Sequence, residues 1–188
     1  MPENFGKRGM GWHGIAAKYY EWEPNLKKAI AKILYVDQIL DRNNKQDAIC
    51  VVSLLESFLA GVISNFGENF IQKIIICCDN AGCYPLKFLV QCIGLLNIHY
   101  SDYFFFEGRI HTETQDGKGI LDAHFSVSTQ HLRSFMKNVR PNCIRHIKTP
   151  KALAAALAWN NGLANSIVQL VEVNREWMLQ LFNFISPS

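Results

Sequence analysis

No stretch near the N-terminus is apolar enough to act as a signal peptide: the first nine residues read Met-Pro-Glu-Asn-Phe-Gly-Lys-Arg-Gly, which is polar and basic. The longest apolar runs, such as Ile74 to Cys78, are far too short to span a bilayer. These two absences predict a nuclear or cytoplasmic protein, neither secreted nor held by a membrane. Charge of one sign is also scarce. The formal net charge is +3, and strong nucleic-acid binders carry a heavier or more clustered positive balance, so bulk charge neither demands nor excludes DNA as a partner. There is no paired C-x2-C for structural zinc, no H-E-x-x-H, and no P-loop pattern before Gly117-Lys118-Gly119. The six cysteines sit mostly in apolar segments and read as reduced, buried thiols.

What is present is a large apolar fraction, 49% of 188 residues, enough to build the core of one domain of ordinary size. We therefore expect a single domain over residues 1–188 with a helical C-terminal extension. Trp12, Ile15, Tyr19 and Tyr20 mark a first strand, ended by a turn at Glu23-Pro24-Asn25, and residues 29–39 a second. Ile49, Val52, Leu55, Leu59, Val62 and Ile63 recur at helical spacing, with Gly67 beyond the end. Residues 71–78 read as a buried central strand, Leu86 to Leu96 as a helix, residues 98–106 as a strand and 107–119 as a loop. Helices are expected over 121–139, from Thr149-Pro150 to Trp159, and over 175–185, with strand character at 166–173. Strands alternating with helices after an initial strand pair predict an α/β sheet flanked by helices.

Two places could carry chemistry. Asp79 follows an apolar strand and precedes Asn80-Ala81-Gly82. Ligand sites of open α/β sheets gather at the carboxyl ends of strands, and a carboxylate there can hold a divalent cation; a helix cap or a turn-forming Asp-Asn pair accounts for it equally well. Asp122 lies after Gly117-Lys118-Gly119, where it is either a second metal ligand or a favourable charge near a helix N-terminus. Lys118 between two glycines could meet a phosphate. His124 and His131 stand seven residues apart and could share a helix face, though such residues are more often ordinary surface or boundary positions. Lys7, Arg8, Lys18, Lys27 and Lys28 interleave with Trp12, Tyr19, Tyr20 and Trp22. That mixture suits either a solvated strand face or contact with phosphates and bases.

Four blocks occur in order: Phe5-Gly6-Lys7-Arg8-Gly9-Met10-Gly11-Trp12-His13, Lys45-Gln46-Asp47, Asp79-Asn80-Ala81-Gly82-Cys83-Tyr84, and Gly117-Lys118-Gly119-Ile120-Leu121-Asp122. The set resembles eukaryotic transposon-derived proteins with a DDE-type, ribonuclease-H-like catalytic domain. The resemblance covers residues 1–174 as spaced blocks, and the last two are its most specific part. It implies a mixed five-stranded sheet with its first strand missing here, and DNA cleavage and strand transfer with Mg²⁺ or Mn²⁺ held by three carboxylates. Asp79 matches the middle acid and Asp122 the last; Glu3 or Asp37 would supply the third. Lys118, Lys7 and Arg8 would contact DNA phosphates, in a chain that leaves room for a homo-oligomer. The sequence departs from the pattern at Pro85 and at Ile120-Leu121. Two other readings stay open: a non-enzymatic remnant that binds DNA or protein, and a flavodoxin-like domain binding a small phosphorylated ligand, which requires an all-parallel sheet.

Overall fold

The computed structural model describes residues 10–41, 47–68, 73–78, 87–111, 118–138, 147–173 and 175–176. The chain is α/β, in the order β1 (Met10–Glu23), β2 (Lys28–Asp41), α1 (Ala48–Phe66), β3 (Lys73–Cys78), α2 (Lys87–His99), β4 (Phe105–His111), α3 (Lys118–Asn138), α4 (Pro150–Leu157), a 3-10 turn (Trp159–Asn161) and β5 (Ser166–Val171). It divides into two compact units, Met1–Arg42 with Lys118–Leu170 and Asn43–Gly117 with Val171–Ser188.

In the first unit β1 and β2 form a long antiparallel hairpin, paired from Met10 with Asp41 to Glu23 with Lys28. Pro24, with its preset φ, follows Glu23, whose carbonyl accepts from the Leu26 amide at 3.2 Å. Lys27 closes the turn at φ 47. β5 lies on the far side of β2, in the order β1-β2-β5. One face of this sheet packs on α3 and α4 through Ile39, Leu132, Leu153, Ala156 and Leu157, with Trp12, Phe135 and Val168 at the margin. Leu153 is fully buried, and burying a leucine contributes about 1.5–3 kcal/mol. α4 begins as its sequence predicts, with Thr149 accepting from the Ala152 amide at 3.1 Å and Pro150 in the first turn. It stops before Asn160 and Asn161, both left-handed.

In the second unit α1 starts at Asp47, whose side chain accepts from the Cys50 amide at 3.1 Å and from Arg175 Nη1 at 2.7 Å. It ends at Gly67, φ 90. By length and composition α1 could cross a membrane, a run the short-stretch argument overlooked because Ser53, Glu56 and Ser57 interrupt it. Nine of its residues are buried within the protein, as in a core helix. β3 and β4 pair in parallel, with a bulge at Ile74/Ile75. Asn97 of α2 holds β4 by accepting from the Phe106 amide at 2.7 Å and donating to its carbonyl at 3.0 Å.

The second unit corrects three expectations. α2 runs on through His99, turns fill residues 100–103, and the strand expected at 98–106 lies at Phe105–His111. The reason is local: Tyr100 N–H still bonds the Leu96 carbonyl at 2.9 Å, so the helix claims residues whose aromatic content suggested a strand. β3 is not buried on both faces, since Ile75 is 56% exposed and every second residue faces out. Cysteine burial is likewise uneven. Cys50 and Cys92 are buried, whereas Cys77 is exposed and Cys78 half-buried on that strand. The expected helix over 175–185 is helical at Arg175 and Glu176, and the rest lies outside the described residues.

Candidate functional site

The first unit contains a polar cluster that begins with an anomaly in its sequence. Asp37 and Gln38 interrupt the apolar run of β2 between Leu34 and Leu40, and both are fully buried. Alternation sends them to opposite faces of the sheet. On the helix face Asp37 Oδ1 accepts from Trp12 Nε1 at 2.8 Å, and Oδ2 accepts from His124 Nε2 at 2.9 Å. The His124 ring stacks on Tyr35, with centroids 4.3 Å apart and planes 2° from parallel. Trp12 in turn meets Phe125 edge-on at 5.1 Å. This packing needs a glycine beneath it, because a β-carbon on Gly14 would lie 2.6 Å from the Phe125 ring.

Asp37, His124 and a hydroxyl, Ser128, are the residue types of an acid–base–nucleophile relay, but the geometry is different. Ser128 Oγ lies 3.4 Å from Nε2, the same ring nitrogen that bonds Asp37, and it donates to the His124 carbonyl at 2.9 Å. A relay needs the acid on one imidazole nitrogen and the nucleophile on the other. Ser128 is also fully buried. The cluster therefore satisfies buried polar groups rather than activating one. It also corrects the place of Asp37 as a third metal ligand: both its oxygens hold N–H donors and neither faces solvent.

On the opposite face a second polar chain crosses three strands. His13 Nδ1–H donates to Gln38 Oε1 at 3.2 Å, and Gln38 Nε2–H donates to Gln169 Oε1 at 2.9 Å. Burial lowers the pKa of His13 below its ordinary 6.5, against a smaller upward pull from Gln38. In the second unit, burial pushes the Tyr100 hydroxyl up to about 12, helped by the charge of Glu56 and a 3.0 Å hydrogen bond to it. Burial likewise raises the Cys92 thiol to about 11.

Of the residues expected to carry phosphodiester chemistry, Asp122 is described. It is exposed and lies one turn inside α3, which starts at Lys118 and has no acidic residue in its first turn. Its role as a charge at the helix N-terminus is weakened accordingly, since that effect fades within the first turn. Lys118 opens α3, with its side chain outside the described set. Asp79, Glu3, Lys7 and Arg8 lie outside the described residues. Asp79 follows the last residue of β3, the carboxyl end of a parallel strand. Among the described residues no three His, Cys, Asp or Glu side chains gather as a cation site. No family model, curated protein or solved structure matches the chain.

The Asp37–His124 pair escaped the sequence reading. Its signal was a charged residue inside an otherwise apolar strand, which in a buried position must be paired. Nothing along the chain identified His124 as the partner, 87 residues away.

Proposed function

We propose that the chain is a transposase-derived, ribonuclease-H-like domain that acts on DNA, with Asp79 and Asp122 as its cation-holding carboxylates. The order of elements carries this reading. An antiparallel hairpin is followed by a helix, a strand that stops one residue short of Asp79, a helix, a parallel strand, and a helix bearing Asp122. In such a site Mg²⁺ or Mn²⁺ would activate the attacking oxygen and stabilise the leaving one, and Lys118 would face a phosphate. The antiparallel hairpin counts against the flavodoxin-like alternative, which needs strands all parallel.

The burial of Asp37 favours a second reading, a remnant that holds DNA without cutting it, because the early-strand acid is committed to Trp12 and His124. Two measurements separate the readings. Calorimetric titration with MgCl₂ and MnCl₂ should give a binding isotherm for the wild type that is lost in Asp79→Ala; equal isotherms would overturn the assignment. Incubation of labelled DNA with Mn²⁺ should release products with the wild type and none with Asp122→Ala. Bound but uncut DNA with both proteins selects the remnant.

A further inference from the structure

The outer half of the β1–β2 hairpin has two chemically different faces. Alternation and register place Lys18, Tyr20 and Trp22 on one face, opposite Ile33, Ala31 and Ala29. This is the face that α3 covers nearer the root, at Gly14. Past that cover Tyr20 is 65% exposed and Trp22 62% exposed. Small alanines beside them leave both rings standing clear of the sheet. The Lys18 ammonium lies over the Tyr20 ring, 5.5 Å from its centroid.

The carboxylates of the outer hairpin are on the other face. Glu21 pairs with Lys32, and Glu23 stands opposite Lys28 and accepts from the Asn25 amide at 3.3 Å. Between residues 16 and 33 the aromatic face therefore carries a cation and no anion, and Lys27 and Leu26 are exposed at its tip. A partner suited to that face is anionic and offers flat rings. Residues two apart on a strand are about 6.8 Å apart, roughly twice the 3.4 Å rise of a stacked nucleic-acid strand. That backbone spacing matches the room one planar base needs between two flanking rings.

We propose that this hairpin face binds a single DNA strand, inserting a base between Tyr20 and Trp22 while Lys18 meets the adjoining phosphate. The choice of DNA rests on the function proposed above; the stacking geometry does not rest on metal chemistry. A base stacked on an aromatic side chain tolerates any sequence, so the face is expected to grip unpaired DNA without reading it.

The test is fluorescence anisotropy of a labelled oligothymidylate titrated with the full chain in EDTA, beside a duplex of equal length. The wild type should prefer the single strand. Tyr20→Ala and Trp22→Ala should each weaken binding roughly 5- to 150-fold, the range for removing one stacking platform. Lys18→Gln should reduce the slope of log affinity against log salt by about 0.7. Both aromatic side chains are mostly exposed, so the variants should keep the wild-type melting midpoint, which confirms that binding and not folding was changed. Single-strand affinity unchanged in the Tyr20→Ala/Trp22→Ala double variant overturns the proposal. So does a double variant that loses self-association in sedimentation velocity while retaining the oligonucleotide. EDTA removes every divalent ion, so failure here leaves the Asp79 titration standing, and failure there leaves this result standing.

Discussion

Along β2, Ala29, Ala31 and Lys32 are exposed near the turn, whereas Leu34, Val36, Asp37, Gln38, Ile39 and Leu40 are buried near the root. The two halves share one strand and one unbroken register with β1. Yet the root encloses a carboxylate and an amide while the tip displays a tyrosine and a tryptophan. Residue type alone would have assigned them the other way round. What differs is cover. α3 meets the hairpin at Trp12, Gly14, Tyr35 and Asp37, and in the buried half Trp12, His13, Asp37 and Gln38 each have a hydrogen-bond partner. At the tip the aromatic rings have no such cover. Polar residues at the root are thus structural, and apolar residues at the tip are available for binding.

The largest blow to this contrast should come from Asp37→Ala. It leaves Trp12 Nε1 and His124 Nε2 as buried donors with their shared acceptor gone, and should cost roughly 3–5 kcal/mol in urea denaturation. A loss under about 1 kcal/mol would mean that the cluster is accessible to water and that Asp37 is free to serve elsewhere. Gly14→Ala is expected to be milder. The new methyl must push the Phe125 ring aside, with an expected loss of roughly 1–3 kcal/mol and a perturbed Trp12 environment by near-ultraviolet circular dichroism.

The smallest effect should be pH-dependent. Burial depresses the pKa of His13, so the fold favours its neutral form. The stability it contributes is present above its ordinary value of 6.5 and is lost as pH falls through the lower folded value. His13→Gln should therefore flatten the decline of unfolding free energy between pH 7 and pH 5. An identical slope in the variant would place the acid sensitivity in other groups.

Much of the local structure was legible. Helical spacing from Ile49 to Ile63 located α1, and Thr149-Pro150 marked the start of α4, because caps depend on a few adjacent residues. The boundary between α2 and β4 was not legible. Residues 98–106 are compatible with either state, and the decision depended on a helix that carried on until its hydrogen bonds ran out. The exposure of Ile75 was hidden for a different reason: a β-branched run has the same composition whether one or both faces are covered.

By itself the sequence determined the order of helices and strands, the hairpin turn at Pro24 and the placing of Glu21 and Glu23 on the hairpin face opposite Lys18, Tyr20 and Trp22, since each follows from residues a few positions apart. Only the tertiary structure decided that Asp37 would hold Trp12 and His124, and that Trp22 would face solvent while Trp12 does not. Those outcomes depend on where α3 comes to rest on the sheet, and a contact between residues 87 positions apart leaves no periodic trace in the chain.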